Sequence, residues 1–160
     1  MSWVPEIVAG LDPGTTESAV VEYDVKHRFI HRKVIMPNEQ LLEWLGTLNP
    51  KTTVLAGEMI ESYGMAVGAE VFQTCVWLGR FQERFSRCGG RTVLVKRGDV
   101  KLHLCHTRRA KDANITQALK NRFGEQGTKK NPGITYGISS HMWQALGVAV
   151  THAERDYKDV

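Results

Sequence analysis

Two acidic residues end apolar runs in this chain, Asp12 after EIVAGL and Glu58 in TTVLAGE. A carboxylate at the end of a buried strand is desolvated, and two of them brought together repel each other and raise each other's pKa until a cation neutralises them. Oxygen donors of this kind suit magnesium or manganese, which hold phosphate oxygens and water, better than zinc held by thiolate and imidazole. His141 is a third candidate, able to ligate a metal or to handle a proton, and Gln144 lies three residues later on the same helical face. The small polar turn DPGTT that begins at Asp12 suits a phosphate, so the metal would serve either a bound nucleotide or the cutting of a phosphodiester. Each residue also has a plainer reading. Asp12 before Pro-Gly is a common turn former, Glu58 suits a strand leaving a sheet, and His141 suits a cap or a surface. The two acids at matching strand ends are what favour the metal site.

The elements that must position these residues follow from periodicity. Residues 6–11 read as a buried strand, SAVVEYD as its hairpin partner and HRFIHRKVI as a third strand, an antiparallel meander. Asn38 is the expected cap of a helix through LLEWLGTL, with Leu41, Leu42 and Leu45 on one face, and TTVLAGE is the next strand. A helix is predicted over 66–87, where Val67, Val71, Thr74, Leu78, Phe81 and Phe85 recur at helical spacing. Phe72, Val76 and Trp77 lie off that face, so this helix is expected either to meet a second subunit or to lie buried between layers of one monomer. RTVLVK is a strand, KDANITQALKNRFG a helix ending at Gly124, and the last helix, through HMWQALGVAVTHAERDY, is expected to be capped by Ser139 or Ser140. The fold class is therefore α/β, with acids at the strand ends where such sheets bind ligands.

The chain has 160 residues, 42% of them hydrophobic and 24% charged, which points to one domain spanning 1–160. An actin-type ATPase needs two domains to close on its nucleotide, so no nucleotide partner is expected. The formal charge of +4 is concentrated in VKRGDVK, HTRRAK and TKK, which suits a polyanionic partner about as well as a merely solvated surface. Three cysteines without CxxC spacing read as reduced thiols of a cytoplasmic protein, and no apolar run reaches the roughly 20 residues of a membrane span.

GLDPGTT, VLAGE, RGDVKLHLC before AKDANITQAL, and HMWQALGVAVTHAE, taken together and in this order, resemble the RuvC family of Holliday junction resolvases, particularly its phage-encoded branch. The resemblance covers about residues 6–154. It implies an RNase H-like fold with a five-stranded mixed sheet, an antiparallel meander followed by parallel strands, flanked by helices. It also implies a homodimer that cuts four-way DNA by paired nicks with Mg2+, for which Mn2+ substitutes. By position, Asp12, Glu58 and His141 would hold metal, Lys101 would be the basic catalytic residue, and Lys111 would lie beside the next basic position. Gln144 departs from the pattern, standing where many members carry a metal-binding aspartate; either Gln144 still orients water or a metal through its carbonyl, or a nearby acid such as Glu61 or Asp112 compensates, or the protein cuts slowly. Lys129 and Lys130, in the Gly-rich stretch 124–137, are expected to grip DNA from a mobile loop. Tyr63 is expected either to stack on a base at the branch point or to be a core tyrosine. A less selective branched-DNA or flap nuclease, and a junction-binding protein that cuts weakly, are the alternatives.

Overall fold

The computed structural model describes residues 2–157. Among these, five strands form one sheet in the order β3-β2-β1-β4-β5. β1 (Ile7–Asp12), β2 (Glu17–Asp24) and β3 (Phe29–Pro37) make the antiparallel meander, and β4 (Thr53–Met59) and β5 (Arg91–Lys96) extend it in parallel from the β1 side. This is the mixed sheet expected from the sequence. β1 reaches one residue further than expected, so that Asp12 is its last residue.

Alternation along β1 and β4 divides the core into two layers. Val8 and Ala56 face α5 (Met142–Asp156), whereas Ala9, Leu11 and Leu55 face α1 (Asn38–Leu45) and α2 (Ala69–Arg87). α5 is buried along nearly its whole length, which explains its run of small and apolar residues, ALGVAV. It lies so close to β1 that a methyl built on Gly10 would overlap the carbonyl oxygen of Ala145 and come within 2.8 Å of Ala149 Cβ. Both obstacles belong to packed elements. Gly10→Ala is therefore expected to cost about 2–3 kcal/mol by overpacking, measured as a fall in the denaturant midpoint. An unchanged midpoint would mean that α5 does not sit on β1 as described.

The structure adds one helix to the sequence reading and departs from it at four points. RGDVKLHLC is a helix, α3 (Arg97–Cys105), with Val100 and Leu104 buried one turn apart and His106 in a left-handed conformation at its end. Asn38 does not cap α1; its amide donates to the Gly14 carbonyl at 3.0 Å and its oxygen accepts from the Ser18 hydroxyl at 2.6 Å, tying α1 to the turn after Asp12. α2 starts at Ala69 after Gly68, leaving Val67 outside, and neither Ser139 nor Ser140 caps α5 through its side chain. The outer face of α2 is not buried between layers either: Phe72 and Val76 are more than 60% exposed, while Trp77 stacks on Phe81. α4 (Asp112–Phe123) ends at Gly124 as expected, with φ +87°.

A buried carboxylate pair at the strand ends

Asp12 and Glu58 meet. The parallel register pairs Leu11 with Gly57, so the next residues of β1 and β4 are neighbours, and alternation puts both side chains on the α5 side of the sheet. Both are buried, Glu58 to the point of 1% exposure. Burial pushes the Glu58 carboxyl up to about 7, with the charges of Asp12 and, less strongly, Asp112 adding to the shift and Arg97 opposing it. The Asp12 carboxyl is also raised, by burial first, against the lowering influence of His141 and Arg97. This is the electrostatic state of two acids that have too little positive charge beside them.

Two basic side chains attend the pair. Across 129 positions of chain, His141 at the start of α5 places Nδ1 2.9 Å from Asp12 Oδ2. A carboxylate only accepts hydrogen bonds, so Nδ1 carries the proton, and Nε2 of this largely exposed ring is left free to act as a base or a ligand. Arg97, the first residue of α3, donates Nε–H to Glu58 Oε1 at 2.6 Å. Nothing in the sequence reading singled out Arg97; it sits inside a basic run, and only the sheet edge shows that it reaches an acid 39 positions earlier. Asp12, Arg97 and His141 line a cleft of about 240 Å³ together with the turn after β1. That turn is held open to the cleft by Gly14 N–H donating to Ser18 Oγ at 3.1 Å, and by the Asn38 bridge.

Gln144, in the first turn of α5, is buried, and its Oε1 has no hydrogen-bond partner among the described residues. A desolvated carbonyl oxygen left unpaired costs about 1–3 kcal/mol, a cost that a donor or a cation would remove. Of the two acids considered as substitutes for a missing aspartate, Asp112 is the one whose charge acts on Asp12 and Glu58. Glu61 is turned elsewhere: its Oε1 accepts from Gly98 N–H at 3.3 Å and from the Tyr63 hydroxyl at 3.4 Å.

None of the remaining expected residues lines the cleft. Lys101 lies one turn beyond Arg97 on α3, and Lys111 immediately precedes Asp112 at the start of α4. Lys129 and Lys130 are exposed at the tip of a loop that carries its own hydrogen bonds. Tyr63 is 60% exposed with φ +52°, so it is not a core tyrosine.

The donors fit a hard divalent cation by type: two carboxylates, one unpaired amide oxygen and one imidazole nitrogen. They are not gathered as a finished cage, since among the described residues no three His, Cys, Asp or Glu side chains are grouped for a metal, and Glu58 is engaged by Arg97. The raised carboxyls and the orphaned Gln144 oxygen are the features that a cation would satisfy. No described helix is long and apolar enough to cross a membrane.

No family model matches this chain, and no curated protein matches it. Solved structures do. The chain is similar to the Thermus thermophilus RuvC structure, with a TM-score of 0.68 and 20% identity over 92% of this chain and 93% of that one. It is also similar to T. thermophilus RuvC in complex with Holliday junction substrate, with a TM-score of 0.67 and 20% identity over the same shares of the two chains. At this identity the likeness establishes the fold, a RuvC-like, RNase H-like α/β sheet flanked by helices.

Proposed function

We propose that this chain is a metal-dependent endodeoxyribonuclease that cuts branched DNA, with the four-way Holliday junction as its substrate and paired nicks as its product. One observation carries the reading: two buried, mutually repelling carboxylates stand at adjacent strand ends of a RuvC-like fold, where Asp12 and the Arg97 that holds Glu58 line a cleft. Asp12 and Glu58 would hold Mg2+, or Mn2+ in its place, with His141 Nε2 and Gln144 Oε1 as further donors. Such a cation, when bound, supplies the Lewis acidity and charge neutralisation that phosphoryl transfer needs. Asp12 fixes the tautomer of His141 and aims its free nitrogen at the cleft. Lys101, Lys111, Lys129 and Lys130 would grip flanking phosphates, and Tyr63, exposed beside the start of α3, would stack on an unpaired base.

Junction selectivity is attributed to a homodimer presenting two sites. The uncovered face of α2, with Phe72 and Val76, is the surface proposed to meet the second copy. Sedimentation of the wild type and of Val76→Glu tests this: the wild type is expected to run as a dimer and the variant as a monomer. An intracellular place of action and kinship with the phage-encoded branch of the family belong to the same proposal.

A second reading is favoured by Gln144, a neutral residue where the resemblance places an acid: a protein that binds junctions tightly and cuts them slowly. Gln144→Asp separates the two. The added carboxylate is expected to raise the cleavage rate about tenfold or more at limiting Mg2+ through tighter metal binding. In chelator it is expected to lower stability by about 1–3 kcal/mol, because a third buried anion joins the pair. Cleavage and melting curves of the same preparation check both arms. An unchanged rate together with unchanged stability would remove Gln144 from the site.

A further inference from the structure

Arg97 places a permanent positive charge on the acid that a metal needs. Its Nε donates to Glu58 Oε1 at 2.6 Å, and its side chain is 35% exposed, so it has solvent to move into. It lines the same cleft as Asp12 and His141. The guanidinium keeps its proton at any workable pH, so above the range in which Glu58 itself takes up a proton the contact is not released by titration of Arg97. The charges facing this pair are Asp12, Asp112 and the imidazole of His141, which leaves Arg97 as the fixed counter-ion of a net anionic centre.

We propose that Arg97 is a built-in competitor for the divalent cation, holding Glu58 until the cation displaces its guanidinium. The negative charge of the site is thereby reduced and the site closed to weakly bound ions, and its metal affinity is set lower than its carboxylates alone would give. This rests on the metal-dependent reading above. Ridding the cleft of one unit charge a few ångströms from the binding position is expected to change the affinity about tenfold or more.

The test is calorimetric titration of Mn2+ into DNA-free wild type, Arg97→Gln and Arg97→Lys, each first checked for native circular dichroism. Arg97→Gln is expected to bind Mn2+ about tenfold or more tightly than the wild type. Arg97→Lys, which keeps the charge and loses the planar Nε–H contact, is expected to fall between them, and it carries the comparison if the glutamine variant does not fold. Measurable but equal affinities in all three chains overturn the displacement while leaving the metal reading intact. No Mn2+ binding by any of them overturns the metal reading, and this inference with it.

Discussion

Asp12→Asn is expected to reduce junction cleavage at least about a hundredfold to a thousandfold while leaving junction affinity within a few-fold of the wild type. The substitution keeps the side chain's shape and leaves an oxygen that still accepts from His141 Nδ1, so the cleft and its turn stay in place. It removes one of the two negative charges at the strand ends, the property on which cation binding depends. The lysines proposed to grip phosphate are untouched, so binding is expected to persist with its salt dependence. Full cutting by this variant would mean that the chemistry lies elsewhere on the fold.

Glu58→Gln is expected to abolish cutting as well, and to make the metal-free protein more stable. The folded-state carboxyl is pushed up to about 7 from an ordinary 4.5. Between those values the folded state therefore holds a proton that the unfolded state has released. Wild-type stability falls as pH rises through this window and levels off above it, because the folded state tolerates the anion poorly. A neutral glutamine removes the cost. Above about pH 7.5, in chelator, the variant is expected to gain about 1–3 kcal/mol over the wild type, partly offset by the loss of the charged partner of Arg97. Near pH 4.5 the gain should vanish, since Glu58 is then protonated in the folded protein too. Urea unfolding at the two pH values measures the difference; a variant less stable than the wild type at high pH would contradict the account of an under-neutralised pair. A residue that lowers stability and raises activity marks a functional site, where binding of the missing charge restores what folding gave up.

The strands and the acid pair were legible in the sequence because both follow from short-range pattern. Apolar runs that end on an acid place that acid at a strand end, and pattern gave the meander and the helix–strand alternation, while the mixed sheet that joins them was implied by the resemblance. His141 was legible through its place before a strongly apolar helix. Arg97 was not, because a basic residue in VKRGDVK looks like solvated surface until β4 and β5 are paired and α3 turns it back over Glu58. α3 itself was hidden by its length: nine residues with two buried anchors, Val100 and Leu104, give too little periodicity. Asn38 shows the opposite failure. Its type and position suit a helix cap, but Ser18 and Gly14, at least 20 positions away, offer buried partners that local pattern cannot reveal. The unpaired Gln144 oxygen likewise depends on what α5 packs against, and β1 supplies that through the close approach at Gly10.

The central claim, that the Asp12–Glu58 pair holds a metal for cutting branched DNA, is met most directly by one assay. An end-labelled four-way junction and a linear duplex of the same sequence are incubated with the wild-type protein in Mg2+, in Mn2+ and in chelator. The account predicts symmetric paired nicks in the junction alone, present with either metal and absent in chelator. Tight junction binding with no nick in either metal, or equal cutting of linear duplex without metal, would contradict it.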